Sequence, residues 1–106
     1  MAFFGLFGDK GLDQFARGLA QEMGTRIPPA TLESKQLSKS KFEAVLSKTL
    51  QHVFLSVENY CRAHKVGLLK KARLSKSFQD ELTSLGYQED FIKDVTFALA
   101  ERLSKL

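Results

Sequence analysis

Apolar residues recur at the spacing of one helix face in several stretches of the chain, and no stretch alternates as a strand does. The first stretch covers residues 10–24, where Gly24 is a natural stop. The sequence Ile27-Pro28-Pro29 then disfavours helix, because proline lacks a donor and restricts the residue before it. We therefore predict a helix over 10–24 and a connector over 25–38. The inward residues of this helix are Leu12, Phe15, Ala16, Leu19 and Met23.

The longest apolar stripe begins at Phe42 and predicts a helix over about 41–66. Ser40 and Glu43 have the spacing of a capping box at its start, and Gly67 is expected to end it. At about 1.5 Å per residue such a helix is roughly 39 Å long. We therefore expect it to be the central helix on which the others pack.

Two shorter helices are predicted in the last third of the chain. One covers residues 76–85, with Ser75 as its cap and Gly86 as its stop, although residues 68–74 are also compatible with a turn or two of helix. The other covers 88–105 and carries acidic residues at its start, where the helix dipole favours negative charge. The sequence thus predicts an all-α fold, a single small domain of about four helices around one long central helix.

Length and composition agree with one folded domain. The chain has 106 residues, 43% of them hydrophobic and nine of them Phe, which is far from the composition of a disordered protein. Cys61 is the only cysteine, so an internal disulfide is excluded and a cytoplasmic location is expected. No apolar run approaches the roughly 20 residues of a membrane span, so we do not expect a membrane partner.

The first eight residues form an apolar arm that contains Phe3, Phe4, Leu6 and Phe7. Side chains of this kind are costly to leave in water. We expect them to pack on the protein's own domain. A partner subunit and a membrane interface are the alternatives.

Charge is strongly segregated along the chain. Between Lys35 and Lys76 there are ten basic residues against only Glu43 and Glu58, a net of +8, whereas residues 1–34 sum to −1 and residues 77–106 to −3. A surface of one sign attracts acidic proteins or polyanions. The candidate residues for binding an anion or a partner are Lys41, Lys48, Arg62, Lys65, Lys70, Lys71, Arg73 and Lys76.

Two apolar residues do not fit the faces of their predicted helices. Leu55 falls within the basic face of the long helix, and Phe97 lies off the apolar stripe of the last one. An off-stripe Phe in so small a domain suggests burial against another layer or a second subunit. We therefore predict Leu55 and Phe97 as interface residues.

Catalytic chemistry has little support in the sequence. Cys61 and His64 are three residues apart, but a metal site needs three or four ligands and a nucleophile pair needs a third, orienting group. Core packing of the thiol is the simpler expectation. We expect no cofactor, no metal and no small-molecule substrate, and we interpret the chain as a non-enzyme.

The sequence contains no motif that specifies an activity. The leading hypothesis is a small helical protein-interaction module whose partner is another protein or a second copy of itself. The alternative is sequence-nonspecific binding of nucleic acid through the basic 35–76 segment. A hidden enzyme that uses Cys61 and His64 is the most distant third.

Overall fold

The structure is a computed structural model that describes residues 10–30 and 39–106. Within these ranges the chain forms four helices: α1 (Lys10–Arg26), α2 (Lys39–Ala63), α3 (Leu68–Leu85) and α4 (Glu89–Ser104). No strand occurs in the described ranges, and the all-α prediction is confirmed. The arm of residues 1–8 and most of the predicted connector lie outside the described residues.

The four helices are arranged as a bundle in which each packs chiefly on two others. The pairs are α1 with α2, α1 with α3, α3 with α4, and α2 with α4, so that α2 and α3 lie at opposite corners. The most extensive pairing joins α1 to α3, while the long helix α2 contacts α1 and α4. The core is one continuous cluster, and Phe78, Leu74 and Leu82 of α3 are completely buried within it.

Side-chain contacts fix the directions of the helices. Asp13 near the start of α1 contacts Arg73 of α3, and Gln21 donates to Glu81 further along at 3.0 Å, so α1 and α3 run parallel. Phe15 stacks on Tyr60 of α2 with ring centroids 4.0 Å apart. Glu22, later in α1, contacts His52, earlier in α2, so α1 and α2 run antiparallel.

Several helix ends differ from the predicted positions. α1 continues through Gly24 to Arg26, so the following segment begins at Ile27, two residues later than the predicted connector. Gly24 lies against the Leu85 side chain and the Tyr87 hydroxyl, and its small size serves this close approach. The Tyr87 hydroxyl donates to the Ile27 carbonyl, which ties the end of α1 to the turn after α3.

The predicted start of α3, at residue 76, is eight residues later than the observed start. The helix begins at Leu68, with Gly67 as its N-cap in extended conformation, and Ser75 is an interior residue of the helix. The prediction was wrong because Leu68 and Leu69 are both exposed, and the first buried residue of α3 is Leu74. An apolar face that points away from the core leaves no inward stripe for the pattern to detect.

α2 and α3 both end in a Schellman motif. After α2, Val66 N–H donates to Cys61 O at 3.0 Å and Lys65 N–H to Arg62 O at 3.4 Å, with Lys65 at φ 49°. After α3, Tyr87 and Gly86 make the equivalent bonds, with Gly86 at φ 97°. α2 therefore ends at Ala63, three residues before the predicted end, and Gly67 belongs to α3.

The two motifs predict opposite effects of substitution at the left-handed position. We expect Lys65→Gly to raise the free energy of unfolding by about 0.5–1 kcal/mol, because glycine adopts positive φ without the Cβ clash. Gly86→Ala is the matched variant, and we expect it to lower the free energy of unfolding by about 1 kcal/mol. Urea unfolding followed by circular dichroism measures both, and a destabilised Lys65→Gly would contradict the prediction.

Candidate functional site

A continuous groove lies between α3 and α4 on the outside of the bundle. Its larger section has a volume of about 380 Å³ and its smaller one about 300 Å³, and Gln79 lines both. The larger section is lined mainly by apolar and small groups, and Leu68 and Ala72 face Ala100 and Leu103 across it. The smaller section lies near Thr83 of α3 and Lys93 of α4. The order of these residues shows that α3 and α4 run antiparallel.

Phe97 lies on the outer side of α4 beside this groove. It is 73% exposed, and it is one helical turn before Ala100, which lines the groove. Leu68, at the end of the groove where Leu103 lies, is 82% exposed. We call the surface formed by Leu68, Lys71, Ala72, Lys76, Phe97, Ala100 and Glu101 the α3–α4 face. Two large exposed apolar side chains on one face are typical of an interaction site.

The α3–α4 face also separates charge between its two helices. α3 contains four basic residues and two acidic ones, and α4 contains four acidic residues and two basic ones. Lys71 and Lys76 line the groove from the α3 side. Asp94 and Glu101 are exposed on α4. Arg73 and Arg102 contact α1 and α2 instead of this face, and Lys93 pairs with Glu89. On the face itself Lys71 and Lys76 exceed Asp80 on α3, while Asp94 and Glu101 leave α4 negative.

The structure divides the eight predicted cations between opposite corners of the bundle. Lys41, Lys48 and Arg62 are exposed along α2, and Lys65 is exposed in the turn that follows it. The remaining residues, Lys70, Lys71, Arg73 and Lys76, belong to α3. The groove brings two of the eight together, Lys71 and Lys76.

Carboxylates of the chain itself contact Arg62, Arg73 and Lys76. Arg62 lies 3.7 Å from Glu58, and Lys76 lies 2.8 Å from Asp80. Arg73 contacts Asp13 of α1 at 2.8 Å. These pairs reduce the positive charge that the eight residues offer to a partner.

The contact of Arg73 with Asp13 is part of the packing between α1 and α3. The Ser77 hydroxyl also donates to Asp13, at 2.7 Å. Partial burial by itself raises the pKa of Asp13, but the hydrogen bonds from Arg73 and Ser77 and the charges of Arg73 and Arg17 outweigh it. The pKa of Asp13 therefore lies below its ordinary value of 3.8. Arg73 thus holds two helices together, a role that the sequence did not indicate.

Leu55 and Phe97, the two predicted interface residues, lie on different helices and different surfaces. Leu55 is 45% exposed on α2, on the same side as Lys48 and Arg62 and away from the buried residues Val53 and Val57. It is not part of the groove. The groove instead adds Leu68 and Ala72 to Phe97, and the sequence pattern had not singled out either residue.

Cys61 is a core residue in the structure. Burial raises the pKa of its thiol, and the charge of Lys71 offsets this only in part, so the thiolate is disfavoured. His64 is exposed and stacks on Tyr60 with centroids 4.3 Å apart. Among the residues that the structure describes, no three His, Cys, Asp or Glu side chains are placed to hold a metal ion.

A second groove lies between α2 and α4, with a volume of about 420 Å³. Leu46, Leu50 and Phe54 line it, and Arg102 closes one side by contacting Glu58 at 2.7 Å. The Arg102 guanidinium also lies over the Phe54 ring, 5.4 Å from its centroid. This groove is more polar than the one between α3 and α4, and no large hydrophobic side chain on its lining is as exposed as Leu68 or Phe97.

No protein-family model, curated protein or solved structure matches the chain. None of the helices in the described ranges has both the length and the apolar character needed to cross a membrane.

Proposed function

We propose that this chain is a small, non-catalytic protein-interaction module that binds its partner on the α3–α4 face. The observation that carries the proposal is the exposure of Leu68 at one end of an open, apolar-lined groove and of Phe97 beside its middle. Exposed apolar residues scattered singly are ordinary, but two such residues along a groove form a continuous contact surface. A single cysteine also fits a reducing compartment, and we propose the cytoplasm as the location.

The form of the groove indicates the kind of contact. It lies between two antiparallel helices, and such a face packs against partner helices whose apolar side chains repeat every three or four residues. Phe97 supplies a large aromatic anchor, which is typical of residues that dominate binding energy. The charged residues beside the groove orient the partner and affect its rate of association more than its affinity.

The alternative proposal, sequence-nonspecific nucleic-acid binding, has weaker support. It needs a continuous run of unpaired cations, because affinity for phosphates grows with the number of charges neutralised. Arg62, Arg73 and Lys76 contact carboxylates of the chain, and α2 and α3 lie at opposite corners of the bundle. What favours it is the exposed basic side of α2, which includes Lys48.

Site-specific photo-crosslinking in the native cells tests both proposals. A photoreactive amino acid is placed at Phe97 or Ala72 on the α3–α4 face, and at Leu55 or Lys48 on α2 as matched exposed positions. We expect a discrete protein adduct from the first two positions only, because they contact the partner. Phe97→Asp, combined with the probe at Ala72, should abolish that adduct.

Either of two results would contradict the interaction module on this face. One is no adduct at Phe97 or Ala72 under conditions where the probe is active. The other is an adduct confined to Lys48 that nuclease treatment removes, which would favour the nucleic-acid alternative. Mass spectrometry of the adduct identifies the partner, and an adduct of twice 11.9 kDa would identify a second copy of the chain.

A further inference from the structure

We infer that the partner on the α3–α4 face is a second copy of this chain, in a two-fold dimer that lays α3 of each copy over α4 of the other. This inference rests on the proposed function, because it names the occupant of the same surface. Three observations carry it: the balance of charge between the two helices, their antiparallel order, and the position of the exposed apolar groups.

The charges that α3 and α4 contribute to the face are opposite in sign. Lys71 and Lys76 exceed Asp80 on the α3 side, and Asp94 and Glu101 are exposed on the α4 side. In a two-fold dimer the same surface meets itself, so a uniformly charged face would repel its copy. A face that is positive on one side and negative on the other can pair with its own copy. If the two-fold axis runs along the groove, the positive side of each copy faces the negative side of the other.

This axis determines which helices meet. Rotation about the groove direction exchanges the two sides of the face, so α3 of one copy lies over α4 of the other, antiparallel to it. The other in-plane axis, across the groove, would lay α3 over α3 and α4 over α4. That arrangement opposes like charges on both helices and is the less favourable of the two.

The antiparallel order also determines the register. Ala72 lies near Leu103 at one end of the groove, and Thr83 lies near Ile92 at the other. Lys76 is therefore level with the turn of α4 that contains Phe97 and Glu101. Rotation about the groove axis does not change the position of a residue along the groove. Lys76 of one copy therefore meets the Phe97 ring and the Glu101 carboxylate of the other. Both contacts are favourable to an ammonium group.

The apolar groups of the face meet in the same arrangement. Phe97 extends from α4 towards the other copy, where the exposed Ala72 and the neighbouring Ser75 of α3 are small side chains that leave room for a ring. Leu68 is likewise removed from water near the end of the face. Because the contact is isologous, each of these groups is buried twice in the dimer.

Paired charge reversal tests this arrangement. One variant carries Lys71→Glu and Lys76→Glu on α3, and the other carries Asp94→Lys and Glu101→Lys on α4. Each variant alone places like charges across both halves of the interface, so its dimer dissociation constant should rise at least tenfold. An equimolar mixture places opposite charges across both halves, and a heterodimer should form with near wild-type affinity.

Native mass spectrometry separates the species, because the two variants differ in mass. Wild type is expected at twice 11.9 kDa, each variant alone at 11.9 kDa, and the mixture as the mixed pair. Lys48→Glu with Arg62→Glu on α2 is the control, and its dimer should persist because these residues lie off the face. Circular dichroism establishes that each variant is folded. Phe97→Asp, which changes no charge of α3, should also give a folded monomer.

The inference is overturned if wild type remains monomeric at every concentration, or if homodimers of both variants persist without preference for the mixed pair. It is also overturned if folded Phe97→Asp remains dimeric. A monomeric wild type whose Phe97 position still crosslinks to a different protein would leave the interaction module standing with another occupant. Absence of any adduct at the face would instead reject the proposed function itself.

Discussion

We expect Phe78→Ala to lower the free energy of unfolding by about 3–5 kcal/mol. Phe78 is 0% exposed, is one of the largest completely buried side chains and lies at the middle of α3. Removing its ring loses the transfer free energy of the aromatic group and leaves a cavity that α1 and α4 cannot fill without moving. Because domains of this size have about 5–15 kcal/mol of stability in all, the variant should be close to unfolded at 37 °C.

Urea unfolding followed by circular dichroism at 25 °C measures this effect. Leu55→Ala is the control, since Leu55 is half-exposed on α2 and does not belong to the α3–α4 face. Its effect should stay within about 0.5 kcal/mol. A loss below about 1 kcal/mol for Phe78→Ala would mean that the core around α3 is not packed as described.

Much of the fold could be predicted from periodicity, because burial of one helix face repeats every three to four residues. The inward stripe of α4 is confirmed at Ile92 and Leu99, and that of α2 at Val53 and Val57. Val45 and His64, at the two ends of the predicted α2 stripe, are exposed instead. The helix ends were less accurate, because they depend on backbone conformation and on neighbours. Lys65 adopts a conformation typical of glycine, and Gly24 continues a helix that it was expected to end.

Only part of the proposed α3–α4 face could be predicted from the sequence. Phe97 was recognisable because it departs from its own stripe, and the structure confirms its exposure. Leu68 could not be recognised, since a leucine at the start of a helix is usually a core residue. Its exposure follows from the path of α3 against α4, which the order of residues does not reveal. The groove itself exists only after the two helices pair.

The charge distribution along the sequence makes Arg73 a candidate for binding a partner, whereas in the structure Arg73 contacts Asp13 of α1. It lies in the most basic segment, but its partner Asp13 is 60 residues away in the sequence. Local counting cannot detect such a pair, whereas the packing of α1 on α3 produces it. The basic segment is therefore part structural support and part exposed surface, and only the exposed part is available to a partner.

The pairing of Asp13 with Arg73 gives the second large expected effect. We expect Asp13→Asn to lower the free energy of unfolding at pH 7 by about 1–2 kcal/mol, because it removes charged hydrogen bonds between α1 and α3. The estimate is near the low end for such bonds because the Arg73 side chain is partly exposed to solvent. Asp80→Asn is the matched control, since Asp80 pairs with Lys76 on the surface of one helix, and its effect should be about 0.5 kcal/mol or less.

The same carboxylate predicts how stability depends on pH. Because the pKa of Asp13 is lower in the folded protein than its ordinary value of 3.8, its contribution is fully present above that value. It is lost as the pH falls from about 4 through the folded pKa, where the carboxylate takes up a proton. Wild type should therefore lose stability more steeply than Asp13→Asn over this window, and the difference between them should close at the acid end. Parallel curves in urea unfolding from pH 7 to pH 2 would show that Asp13 does not carry the charge that joins α1 to α3.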